Sequence, residues 1–91
     1  MELTSFDKEI VAVMLSMFGG CKIAVEVPAA WQSPYVQLSN SKWVVQYVPN
    51  HQRIYVRNSV TGNEWSSDGR LDRVNDAVEF LQYAQKEVYG E

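Results

Sequence analysis

The segment KWVVQYVPNHQRIYVRNSV, residues 42–60, constrains the fold more than any other part of the chain. Its first run, Lys42 to Val48, is dense in β-branched and aromatic side chains, which suit the pleated, half-buried surface of a strand. PNHQ at 49–52 turns the chain, and RIYVRNSV at 53–60 returns as its partner. Because strand side chains alternate with a period of two, this hairpin fixes two rows. Trp43, Val45 and Tyr47 with Ile54 and Val56 form an apolar row suited to a core. Lys42, Val44, Gln46 and Val48 with Arg53, Tyr55 and Arg57 form the opposite row.

The neighbouring segments extend the same pattern. CKIAVEVP alternates, with Cys21, Ile23, Val25 and Val27 on one side and Lys22, Ala24 and Glu26 on the other, and Pro28 closes it. PAAWQSP is a loop between two prolines with Trp31 at its centre. YVQL at 35–38 reads as a short strand, TGN at 61–63 as a tight turn, and EWS as a short last strand.

The period changes to that of a helix at both ends. Phe6, Ile10, Val13, Met14 and Met17 recur at helical spacing, Thr4 or Ser5 serves as cap, and Asp7 and Glu9 suit the first-turn dipole. The helix spans roughly 5–18, and Gly19–Gly20 stop it. Val74, Ala77, Val78, Leu81, Ala84 and Val88 form a second stripe, over about 73–88, with Asp72 as the expected cap. The expected fold is therefore α+β in one domain, 1–91: an antiparallel meander of three to five strands between an N-terminal and a C-terminal helix. The two helices are expected to cover one sheet face, making two layers. This α-β-β-β-α order resembles the topology of double-stranded-RNA-binding domains. Those domains carry a basic cluster at the start of their second helix. Here that position reads LDRVNDAV, with Asp72 and Asp76 beside Arg70 and Arg73, so no residue of that family is carried over.

If the apolar row faces the helices, the other face presents Lys22, Lys42, Arg53 and Arg57 against Glu26, with Tyr55 as a stacking platform. This is a candidate anion or nucleic-acid face on a chain whose net charge is −3. The mild negative total argues against a generally basic nucleic-acid binder.

The first helix raises the other candidate surface. A two-layer domain buries one side of each helix, yet Val11, Leu15 and Phe18 lie beyond the main stripe and are expected to meet a partner. Met14 and Met17 suit an adaptable contact, and Trp31 is a further candidate anchor.

Catalytic and metal chemistry find little material. One His and one Cys with scattered carboxylates do not make a transition-metal ligand set, and Gly19–Gly20 opens a strand where a phosphate cradle needs a helix. A lone Cys21 forms no internal disulfide. The acidic residues before the apolar run, Glu2, Asp7 and Glu9, argue against a signal peptide, and nine residues are too few to span a membrane. The expectation is a cytoplasmic, non-enzymatic protein-interaction module of regulator or inhibitor type, forming a homodimer, with no cofactor or metal and no membrane contact. The alternative is a nucleic-acid-binding domain using the basic, Tyr-bearing face. A ligand binder or enzyme with a pocket between helix and sheet stands second to it.

Overall fold

The computed structural model describes residues 3–18, 22–26, 34–67 and 69–90, with 22–26 described by backbone alone. Helix α1 (Ser5–Met17) leads into five strands, β1 (Lys22–Glu26), β2 (Tyr35–Ser39), β3 (Trp43–Val48), β4 (Arg53–Asn58) and β5 (Glu64–Ser66). Helix α2 (Val74–Gly90) follows. The fold is α+β. The strands form one sheet in chain order, β1-β2-β3-β4-β5, with every neighbouring pair antiparallel. Five strands is the upper end of the expected range, two more than the order compared with double-stranded-RNA-binding domains.

Local chemistry explains where α1 begins. The Thr4 hydroxyl accepts the Asp7 N–H at 3.1 Å, and the Asp7 carboxylate accepts the Thr4 N–H at 3.0 Å, so two first-turn donors are satisfied reciprocally. At α2 the expected cap is corrected. The residue before the helix is Arg73, not Asp72, and its N–H donates to the Asp76 carboxylate at 3.3 Å. Asp76 lies in the first turn, where a carboxylate can reach back to the chain entering the helix.

Both helices lie on one face of the sheet. Ile10 and Met14 of α1 and Ala77, Leu81, Ala84 and Val88 of α2 pack with Leu38, Trp43, Val45, Tyr47, Ile54 and Val56 in one buried cluster. The apolar hairpin row therefore faces inward, as its alternation implies. Register sets Ile23 opposite Leu38 and Val25 opposite Val36, whose side chains are buried. The remaining apolar positions of that first strand, Cys21 and Val27, lie outside the described residues.

Phe18 is the main correction to the surface reading. It is fully buried, with its ring edge-on to Trp43, centroids 4.8 Å apart at 73°. A T-shaped pair of this kind adds to the burial of both rings. The end of α1 turns Phe18 over the sheet, so it belongs to the core and offers nothing to a partner.

The β3–β4 turn is tied to the approach to α2. Gln52 has a left-handed φ of 47°, accepts the Leu71 N–H at 2.8 Å through its carbonyl, and donates from its amide to the Leu71 carbonyl at 3.1 Å. Arg70 donates to the Gln52 side-chain oxygen as well. These bonds hold a backbone conformation that a non-glycine residue seldom adopts.

Candidate functional site: the uncovered sheet face

With both helices on one side, no described helix covers the other side of the sheet. Its described side chains are Tyr35, Gln37 and Ser39 on β2, Val44, Gln46 and Val48 on β3, Arg53, Tyr55 and Arg57 on β4, and Glu64 and Ser66 on β5. The strand-central positions among these are half-buried by their neighbours, while Arg53, Arg57, Glu64 and Ser66 are exposed. Register orders them into rows. Gln37, Gln46, Tyr55 and Ser66 lie side by side across four strands, and Ser39, Val44, Arg57 and Glu64 form the next row. The Gln46 amide donates to the Gln37 side-chain oxygen at 2.7 Å, fixing two of these side chains against each other. At the β3–β4–β5 end the face dips into an open groove of about 440 Å³, lined by Val44, Gln46, Tyr55, Arg57, Glu64 and Ser66 among others.

The charge of this face differs from the sequence expectation in two ways. Lys42 does not extend the basic row, because its ammonium stands 5.5 Å from the centroid of the Tyr89 ring on α2. That ring attracts the cation through its quadrupole. Tyr89 in turn accepts the Trp43 indole N–H at 2.9 Å, so Lys42, Trp43 and Tyr89 together fasten the end of α2 to the start of β3. Second, Glu64 stands directly opposite Arg57 in the β4–β5 register. Arg53 and Arg57 remain as exposed cations with Glu64 as a countercharge. Lys22 belongs by register to the row of Ser39 and Arg57, and only its backbone is described.

The helix candidates separate. Leu15 is 37% exposed, Val11 is half-buried, and Phe18 is in the core. Trp31 lies outside the described residues. Among the described residues, the other exposed large apolar side chains are Val60 in the β4–β5 turn and Tyr83 and Tyr89 on α2. With Leu15 they are spread over α1, the β4–β5 turn and α2, and isolated exposed apolar side chains are ordinary for a protein surface. The sheet face is contiguous.

The perturbed titratable groups lie away from this face. Buried Asp7 accepts the Tyr47 hydroxyl at 2.6 Å beneath α1. Burial alone would raise the Asp7 carboxyl, but the Tyr47 hydroxyl and the Thr4 contacts outweigh it and hold it below its ordinary 3.8. Burial, and then the Asp7 charge, push the Tyr47 hydroxyl well above its usual range. Asp7 is engaged by the capping box and by Tyr47, and Tyr47 by Asp7, which is structural work. Among the described residues no three His, Cys, Asp or Glu side chains gather as a metal-binding group. No helix among them is long and apolar enough to cross a membrane.

Sequence reasoning identified Arg53, Tyr55 and Arg57 as neighbours on one face, and the structure brings them together. It missed Tyr35, Gln37, Glu64 and Ser66. The alternation of YVQLS and EWS carried that signal, but assigning the face required the strand register. No protein-family model, curated protein or solved structure matches this chain.

Proposed function

We propose that this chain is a non-enzymatic protein-interaction module that binds another protein on its uncovered sheet face. The observation that carries this reading is the contiguous face of half-buried Tyr35, Val44, Gln46, Val48 and Tyr55, with no described helix over it. Its composition supports the reading too. Protein interfaces are enriched in Tyr and Arg and depleted in Lys, Asp and Glu, and the described face carries two Tyr, two Arg and a single acid. A regulator or inhibitor acts in this way, by occupying a surface of its target. Self-association is the smaller part of the proposal. It rests on Leu15, with half-buried Val11 beside it on α1. The nucleic-acid reading is disfavoured by the Glu64 countercharge and by the diversion of Lys42 toward Tyr89.

A photo-crosslinking amino acid at position 44, compared with one at position 79 on the outer side of α2, tests the proposal in cells that make the protein. The expected result is a discrete crosslinked protein from position 44 and none from position 79. Crosslinks from position 79 alone would move the contact to the helices and overturn the reading.

A further inference from the structure

From the spacing along β4 we infer that the Arg53–Tyr55–Arg57 row recognises an extended, acidic segment of a partner protein. The inference deepens the sheet-face reading and rests on it. Alternate residues of a strand point the same way, about 6.8 Å apart, so the two arginines stand roughly 13–14 Å apart along β4 with Tyr55 midway. An extended segment lying along β4 has the same repeat. Its residues i and i+4 then meet Arg53 and Arg57, while residue i+2 meets the Tyr55 ring. The matching pattern is a carboxylate, any residue, an apolar residue, any residue, and a second carboxylate. Each guanidinium can hold a carboxylate through two parallel N–H bonds, and Tyr55 offers a flat apolar contact between them.

Glu64 sets the position of such a segment. It stands on β5 opposite Arg57, so an acidic segment shifted toward β5 meets like charge. The favourable track runs over β3 and β4, above Val44 and the groove beside Tyr55. There the Gln37–Gln46 amide pair can hydrogen-bond a backbone that crosses it. The same charge pattern favours a peptide over a nucleic-acid strand. Among the described side chains of the face, two exposed arginines opposed by one glutamate suit two discrete carboxylates, whereas phosphate-backbone binding draws its affinity from many neutralised charges.

The test is a ¹⁵N NMR titration of the full chain with a synthetic peptide of core Asp-Ser-Phe-Ser-Asp. The controls are the same peptide with Asn for Asp, and an oligothymidylate of similar length. Saturable shifts are expected at Val44, Gln46, Arg53, Tyr55 and Arg57, with the helices unmoved. Loss of both arginines (R53A/R57A) should weaken binding about tenfold, roughly threefold for each exposed pair. Binding should return when R53E/R57E meets a peptide carrying Lys for Asp. Equal binding of the Asn peptide, or shifts confined to the helices, would overturn the inference. Oligothymidylate moving these resonances while the peptide does not would assign the row to nucleic acid instead. Should position 44 crosslink a partner while the acidic peptide leaves β4 silent, the sheet-face reading stands and this inference falls. With both negative, both fall.

Discussion

Asp7 and Tyr47 show how much one pair of residues can carry. Asp7 closes the capping box of α1 and, through the same carboxylate, holds the hydroxyl of Tyr47 on β3. A hydrogen bond to a charged group contributes roughly 1.5–3 kcal/mol, so Tyr47→Phe is expected to cost about that in urea unfolding at neutral pH. The sign of the pH dependence follows from the lowered Asp7 carboxyl. The folded state binds this proton less readily than the unfolded state does. Its stabilisation is therefore complete above the unfolded value of about 3.9 and is lost as pH falls through the lower folded value. Asp7→Asn should cost about 1–2 kcal/mol at pH 7. The gap between wild type and Asp7→Asn should close in acid, and a gap that stays constant from neutral pH into strong acid would refute this role. The sequence marked Asp7 as a first-turn acid, because capping is local. Its bond to Tyr47 spans 40 positions, and no local pattern reports such a contact.

At the scale of elements, α1 shows where a periodicity reading stops. The stripe of Phe6, Ile10, Val13, Met14 and Met17 was legible, as were the cap and the length of the helix. The fate of Val11, Leu15 and Phe18 was not, because it depends on what lies beside the helix. α1 packs on the sheet and on α2 together, and the Gln85 amide of α2 donates to the Met17 carbonyl at 2.5 Å, tying the two helices at the last turn of α1. Of the residues that looked surplus, Phe18 is absorbed by the sheet against Trp43, Val11 is partly buried against the core, and Leu15 stays exposed. Phe18→Ala should therefore cost about 3–5 kcal/mol, as expected for an aromatic side chain lost from a core. Leu15→Glu should change stability by no more than about 0.5 kcal/mol. Sedimentation of Leu15→Glu against wild type also tests the self-association that Leu15 is proposed to support. A folded variant with wild-type oligomeric behaviour would remove Leu15 from that role. The β3–β4 hairpin was legible in both strands and in face, since alternation is strict there. The redirection of Lys42 was not, because it depends on Tyr89, which lies at the far end of the chain.

For the whole molecule, the decisive feature is an asymmetry between the two faces of one sheet. One face holds Trp43, Val45, Tyr47, Ile54 and Val56 against both helices, and the other holds Val44, Gln46, Tyr55 and Arg57 against none. That two-layer arrangement was readable from the sequence, because helices at both ends of a short meander have one shared face to cover. The balance of charge on the open face was not, since it turned on which residue of EWS stands opposite Arg57. Adjacent residues of β3 offer the most direct check. Urea unfolding should be measured for Val44→Asp and Val45→Asp, which place the same carboxylate on opposite faces of the same strand. Val44→Asp is expected to fold with a loss of about 1 kcal/mol or less, the span of strand propensity. Val45→Asp is expected to be largely unfolded, because it puts an uncompensated charge into the core. Equal disruption by the two substitutions would mean that the sheet is covered on both sides, and would contradict the open face on which the proposed function depends.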